Sequence, residues 1–290
     1  MGSSIYDKET GLTLRLSHQE SRLFYEDYEP IDDFECPEVI HAELTSRCNL
    51  NCDYCYVPKM ETELGFEEWR KIINDLSDFG AFQLTMGGGE PFIRDDVIQL
   101  ANFADDCGLN VTVTTNGMLL EDFSPEELSI FRQINISYHR SALDQGFEME
   151  NALDRIVEAD VPAGINLVLS RDYLPYLSHL SALAKDYGAL LLLLSYKPVR
   201  GDFENAIDLK KIREYAHALA KDGLTVGIDS LTCGDCEMNE KLLTISSSGE
   251  AYPCSFVRNS MGNLISRSIE AIWRNRGGKT ECPYSANLID

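Results

Sequence analysis

The stretch Val39-Ile40-His41-Ala42-Glu43-Leu44-Thr45 runs through Ser46 and Arg47 into Cys48-Asn49-Leu50-Asn51-Cys52-Asp53-Tyr54-Cys55. Its apolar, β-branched first half predicts a strand, and the eight residues from Cys48 to Cys55 put three thiols on the loop that follows. So short a loop can converge three thiolates on one centre, and soft thiolates in a reducing compartment select zinc or an iron–sulfur cluster. A structural zinc closes four ligands and a plain electron-transfer cube takes four cysteines, so three thiolates on a cube leave one iron open for another molecule. A remote fourth ligand would instead make the site structural.

Outward from this loop, residues 37 to 229 alternate short apolar runs with amphipathic stretches, the pattern of βα units around a parallel sheet. Strands are predicted at Val39–Thr45, Phe82–Met86, Asn110–Thr115, Gln133–Tyr138, Gly164–Ser170, Leu190–Tyr196 and Leu224–Asp229. Helices are predicted at Phe66–Phe79, Asp95–Cys107, Pro125–Phe131, Gly146–Ala159, Leu174–Tyr187 and Leu209–Lys221. Six repeats are too few to close an eight-stranded barrel, so the expected fold is α/β, a partial (β/α)6 TIM-type barrel with a lateral opening. Residues 230–290 break the pattern into a Cys-bearing loop, a hairpin turning at Ser247-Ser248-Gly249 and a short helix near Ile269–Arg274, and are expected to form a small C-terminal domain. Residues 1–36 form a polar, acidic lead-in with no assigned role.

The 290 residues carry 48 acidic against 25 basic side chains, a net charge of −23, which argues against nucleic acid and anionic membrane surfaces as partners. The longest apolar run, around Leu190–Leu194, is too short to span a bilayer, and the N-terminus lacks a signal-peptide plan, so a cytoplasmic protein is expected. In that compartment nine cysteines are too many for ordinary core residues and the wrong number for a closed disulfide framework.

The spacing Cys48, Cys52, Tyr54, Cys55 resembles the Cys-x3-Cys-x-aromatic-Cys signature of the radical S-adenosylmethionine (radical SAM) superfamily, in which the motif follows the first strand. The resemblance implies a [4Fe–4S] cluster on Cys48, Cys52 and Cys55 whose open iron chelates the amino and carboxylate groups of SAM. It also implies that an electron from the cluster cleaves SAM to methionine and a 5′-deoxyadenosyl radical that abstracts hydrogen from a substrate. Gly87-Gly88-Gly89-Glu90-Pro91 follows the second strand; alone it reads as a turn, but the superfamily's Gly-Gly-Glu binds the methionyl amino group, which assigns Gly88, Gly89 and Glu90 to SAM. By position the resemblance adds Tyr54, Thr115, Asn116, Ser137 and Asn166 as SAM contacts. The chain departs from the family pattern in one loop, reading Ser137-Tyr138-His139-Arg140 where many relatives have Ser-x-Asp-Gly.

A second group, Cys233, Cys236, Cys254 and Cys282, sits in a segment too short for a large core of its own, where a shared inorganic centre can substitute for apolar burial. Zinc on four thiolates is one reading of the Cys-x2-Cys half-site. The hairpin leading to Cys254, the Gly262-Asn263 step and Ile269–Trp273 resemble the SPASM/twitch extension of radical SAM enzymes, which implies one auxiliary [4Fe–4S] cluster on these four cysteines. Cys107 reads as core, and Cys36 as an inert thiol, a hydrogen-atom donor or a substitute ligand.

The resemblance thus implies a radical SAM enzyme served by a reductant such as flavodoxin or ferredoxin. Its substrate would be a peptide or protein side chain, with oxidation or rearrangement of a small metabolite (sugar, nucleotide or tetrapyrrole) as the alternative. Peptide-modifying members often carry a separate recognition domain that residues 1–36 are too few to hold. Tyr138, His139, Arg140, Tyr196, Lys197, Arg200 and Asp229 fall near strand ends as candidate substrate-facing groups, with His139 the candidate for proton transfer. A passive electron-transfer protein is the reading from another class; it predicts ligands divided four and four, against the three and four present.

Overall fold

The computed structural model describes residues 4–6, 13–15, 21–23, 35–199, 201, 203–234, 236–278 and 280–284. Strand and helix alternate as β1 (Val39–Thr45), α1 (Phe66–Asp78), β2 (Gln83–Gly88), α2 (Val97–Asp106), β3 (Asn110–Thr115), α3 (Pro125–Leu128), β4 (Gln133–Ser137), α4 (Arg140–Leu143), α5 (Met149–Glu158), β5 (Ala163–Leu169), α6 (Leu177–Asp186), β6 (Leu190–Ser195), α7 (Leu209–Lys221) and β7 (Val226–Ile228). Each of these strands pairs in parallel with the next. Six βα repeats therefore lead into a short seventh strand, the partial barrel expected from the periodicity.

The C-terminal segment adds α8 (Ser230–Cys233), β8 (Leu242–Ile245), β9 (Glu250–Tyr252), β10 (Gly262–Asn263) and α9 (Ile269–Trp273). Its hairpin is not a separate layer: β8 pairs in parallel with β1, from Leu242 beside Val39 to Ile245 beside Ala42. One open sheet results, in the order β10-β9-β8-β1-β2-β3-β4-β5-β6-β7. The free edge of the first strand is thereby paired, and Leu243, Ile245 and Ala251 are fully buried. The lead-in contributes one antiparallel ribbon, Ser4–Tyr6 against Thr13–Arg15.

The helices shield one face of the sheet with residues spaced three and four apart. On α1 these are Trp69, Ile72, Ile73 and Leu76, each only 1% exposed. The inward face is different. At alternate positions β2 presents Gln83 and Thr85, β3 Thr112 and Thr114, β4 Gln133 and Asn135, and β6 Leu190, Leu192 and Leu194. Closed barrels fill this space with branched aliphatic side chains. Here amides and hydroxyls face a leucine wall across a cavity of about 790 Å³. No helix among the described residues is long and apolar enough to cross a membrane.

Candidate active site

The three thiols of the first loop stand at the mouth of this cavity, where β1 ends. Four devices fix the loop. The Glu63 carboxylate accepts from Thr45 Oγ1 (2.8 and 2.9 Å), Ser46 N (2.6 Å), Ser46 Oγ (2.9 Å) and Arg47 Nε (3.3 Å), pinning the first residues after the strand. Burial alone would raise the Glu63 pKa, but these donors outweigh it and hold the carboxyl below its ordinary value. Asn116 Nδ2 donates to Asn49 Oδ1 at 2.7 Å, joining the loop to the end of β3. Tyr54 Oη lies 2.6 Å from His139 Nδ1, and its ring packs edge-on against Tyr173.

The fourth device is the glycine run. The backbone of the cysteine loop passes directly over it, with Gly89 N donating to Thr45 O at 2.7 Å and Glu90 N to Arg47 O at 2.8 Å. A Cβ on Gly88 (φ +125°) would fall 2.4 Å from Thr45 O, and one on Gly89 2.0 Å from Arg47 O. Any side chain there would push the loop away, so the glycines are required by the approach of protein backbone.

Cys48, Cys52 and Cys55 are all partly buried, and none of the nine cysteines forms a disulfide. Leu50 N donates to Cys48 Sγ at 3.4 Å, and Cys52 Sγ lies 3.4 Å from His139 Nδ1 and 3.6 Å from Ser141 Oγ. Burial pushes the Cys48 and Cys52 thiols up from their ordinary value, so it is a bound cation that would make them thiolates. Among the described residues no three His, Cys, Asp or Glu side chains lie close enough to hold a single metal ion. A cube takes one thiolate per iron and so needs wider spacing than a zinc ion, whose ligands all lie about 2.3 Å from one centre. The donor set fits a cluster.

Of the residues expected to contact SAM, Tyr54, Gly88, Gly89, Thr115, Asn116, Ser137 and Asn166 line the cavity. Glu90 does not reach it. Its carboxylate is fully buried and accepts from Thr115 Oγ1 (2.7 Å), Asn116 N (2.8 Å) and Phe92 N (3.1 Å). Burial pushes its pKa up to about 7 against the pull of those donors. It sits behind Thr115 and Asn116 and accepts a hydrogen bond from each. Asn166 Oδ1 is buried with no hydrogen-bond partner, an acceptor awaiting a donor from the cavity.

His139 lines the cavity with its ring roughly parallel to that of Tyr54. Burial lowers its pKa to about 4, so it is neutral near pH 7 and bonded to the cysteine loop. Tyr138, Tyr196, Lys197 and Asp229 also line the cavity; Arg140 is exposed, and Arg200 lies outside the described residues.

The second cysteine group is assembled differently. Glu237–Met238 pairs with Thr280–Glu281 as an antiparallel ribbon, which places Cys236 beside Cys282. Their thiols share a hydrogen bond that, with burial, drives the Cys236 pKa far up. Cys254 follows β9, is raised by burial, and lies within electrostatic reach of both. Cys233 ends α8, three residues before Cys236. Thiols this costly to ionise singly fit a shared cationic centre. Cys107 donates to Asn74 Oδ1 at the end of α2 and packs against the core. Cys36 precedes β1, at the opposite end of the strand from the cysteine loop and on the order of 25 Å away at about 3.3 Å per residue.

Two partly buried ion pairs passed unnoticed in the sequence. Arg258, beyond Cys254, makes a bidentate pair with Glu43 on β1 (2.6 and 2.8 Å), and Lys197 pairs with Asp229 at 2.5 Å. The signal for the first was available: Glu43 alternates with His41 on an otherwise apolar buried strand, which marks both as facing inward.

Residues 42–146 match the model of the radical SAM superfamily, and residues 236–280 match SPASM, an iron–sulfur cluster-binding domain. An AdoMet-dependent heme synthase from Methanosarcina barkeri is 26% identical, over 82% of this chain and 82% of that protein. A PqqA peptide cyclase from Bradyrhizobium diazoefficiens is 29% identical over 54% of this chain, which spans only 46% of the cyclase. Among solved structures, Streptococcus suis SuiB bound to precursor peptide SuiA superposes with a TM-score of 0.73 at 14% identity, covering 98% of this chain and 86% of SuiB. The structure of anSMEcpe with bound AdoMet and a peptide gives a TM-score of 0.63 at 16% identity, covering 87% and 83%. The cysteine loop after β1, the partial barrel and these matches agree: the chain belongs to the radical SAM superfamily, an enzyme that uses SAM, a SAM-binding [4Fe–4S] cluster and an auxiliary iron–sulfur cluster in a SPASM-type C-terminal domain.

Proposed function

We propose that this enzyme abstracts hydrogen from a side chain of a peptide or protein. The observation that carries this reading is the charge arrangement of the cavity. Among the described residues two cations line the cavity: Lys197 is paired with Asp229, and Lys59, exposed at the rim, donates to Ser46 O at 3.1 Å, while Arg258 behind the wall is taken by Glu43. What remains toward the floor is neutral: the amides of Gln83, Gln133 and Asn135 and the hydroxyls of Thr85 and Thr112, opposite Leu190 and Leu192. Such a surface suits an uncharged peptide segment, whereas a polycarboxylate or triphosphate requires unpaired cations. The likeness to the peptide cyclase supports this. Radical oxidation or rearrangement of a small metabolite is the second reading, favoured by the likeness to the heme synthase over most of both chains.

In this reading Cys48, Cys52 and Cys55 hold the SAM-binding cluster, and Cys233, Cys236, Cys254 and Cys282 the auxiliary one. Bound there with SAM, the first cluster supplies the electron that cleaves the sulfonium and so generates the hydrogen-abstracting radical. The chain's own residues do the placing. Gly88 and Gly89 let the cysteine loop close over them and line the SAM side of the cavity, Thr115, Asn116, Ser137 and Asn166 offer polar contacts, and Tyr54 and His139 brace the cysteine loop. His139, neutral near pH 7, is the remaining candidate for accepting a proton. The enzyme works in the cytoplasm with a small electron donor such as flavodoxin or ferredoxin.

The test is SAM cleavage by the anaerobically reconstituted, reduced enzyme, with the Cys52→Ala variant as background. Peptides encoded beside the gene, deuterated at single side chains, should pass deuterium into 5′-deoxyadenosine. Transfer from a labelled porphyrin or nucleotide, and none from peptide, would establish the second reading.

A further inference from the structure

The wall between the cavity and the second cysteine group is built around one partly buried ion pair. Ser195 ends β6 and Asp229 follows β7, brought side by side by the parallel pairing of those strands. Lys197 Nζ lies 2.5 Å from Asp229 Oδ2 and donates to Ser195 Oγ at 3.1 Å; the two charged side chains are only 10% and 13% exposed. The other carboxylate oxygen, Oδ1, accepts from Thr232 N (3.0 Å) and Thr232 Oγ1 (2.5 Å), capping α8, the helix that ends in Cys233. On its far side the ammonium lies 4.8 Å from the centroid of the Phe256 ring. Phe256 N in turn donates to Cys254 Sγ at 3.4 Å. Lys197 is thus one residue away from an auxiliary cysteine while it lines the cavity.

We propose that the Lys197 ammonium sets the reduction potential of the auxiliary iron–sulfur centre, with Asp229 as the opposing charge that trims it. The inference rests on Cys236, Cys254 and Cys282 being ligands of that centre. The reduced centre carries one more negative charge than the oxidised one. A cation held close in a medium of low dielectric favours the reduced form and raises the potential, and a carboxylate behind it works in the opposite sense. Stability alone does not call for the two charges, since an apolar pair of similar volume can replace a buried ion pair with little loss. Placing the charge on the cavity side ties the electron affinity of the auxiliary centre to the wall of the substrate site.

The test is a potentiometric titration of the reconstituted holoenzyme with mediator dyes, read by electron paramagnetic resonance. Cys254→Ala first assigns the two midpoints, because it should lose one signal and about half the iron; retention of all the iron would refute the ligand assignment rather than the role of Lys197. Lys197→Met should move the auxiliary midpoint to more negative potential and Lys197→Arg should restore most of it, while the midpoint of the SAM-binding cluster stays put. Asp229→Asn, which keeps an acceptor to cap α8, should move the auxiliary midpoint the other way. An unchanged auxiliary midpoint in Lys197→Met at full iron content overturns the proposal, as does a shift of Lys197→Met and Asp229→Asn in the same direction. Should Lys197→Met fail to retain iron, Lys197→Arg and Asp229→Asn read against the wild type still decide it.

Discussion

The two cysteine groups solve the same problem in opposite ways. The first takes its thiols from eight consecutive residues and then calls on Glu63, Asn116 and His139 to hold the loop. The second draws Cys236, Cys254 and Cys282 from well-separated points and brings them together with secondary structure, the ribbon of Glu237–Met238 with Thr280–Glu281 and the hairpin of β8 and β9. A local group pays little loop-closure entropy but has a floppy backbone that needs external struts; a distributed group gets rigidity from its strands and pays in closure. Damage to the first should therefore be felt in chemistry, and damage to the second in assembly.

The largest effect that follows is on turnover. Cys52→Ala should abolish 5′-deoxyadenosine formation and lower iron by about half, with the unfolding midpoint little changed; substantial SAM cleavage would break the comparison at once. Next comes Cys282→Ala. It also should cost about half the iron, but 5′-deoxyadenosine should still form in the absence of substrate, and trypsin should now cut the segment after Ile228. If instead the segment stays protected, the strands alone suffice and the centre adds nothing to assembly.

How much of this was legible beforehand follows the same division. The cysteine loop could be read because its information is local in sequence. The barrel could be read because strand and helix periods alternate from Val39 onward, and the strand bounds fall within a few residues of those expected. The pairing of β8 with β1 was not visible, because nothing in Leu242–Ile245 distinguishes a parallel partner from an isolated hairpin. The burial of Glu90 was not visible for a related reason. Its neighbours in sequence suggest an exposed turn, and only the fold buries the carboxylate against Thr115 and Asn116.

Glu90 gives a pH-dependent prediction. Its folded value of about 7 lies above the unfolded one, about 4.3. The folded protein therefore holds this proton more tightly, and the associated stability is complete below the unfolded value and lost as pH rises through the folded one. Glu90→Gln stays neutral throughout. Relative to that variant, the wild type should lose roughly 3 kcal/mol between about pH 4 and 8 in urea unfolding. A difference that is flat with pH would show that the three donors keep Glu90 ionised.

The smallest predicted effect is at Glu63, and there the sign reverses. Its folded pKa lies below the ordinary carboxylate value, so its contribution is present above the unfolded value and is lost as pH falls through the folded one. Glu63→Gln preserves shape but turns an –NH2 toward the donors of Thr45, Ser46 and Arg47, so one side of the carboxylate's bonding is lost. A cost of roughly 1–2 kcal/mol near neutral pH is expected, shrinking in acid, with no such change in Lys185→Ala on the exposed end of α6. Because Glu63 braces the loop rather than a core element, the same variant should lose iron from the first cluster faster under a chelator while the auxiliary centre is retained. Equal loss from both would mean that the cysteine loop is held by the sheet itself, and that the two groups differ less in their mechanics than in their spacing along the chain.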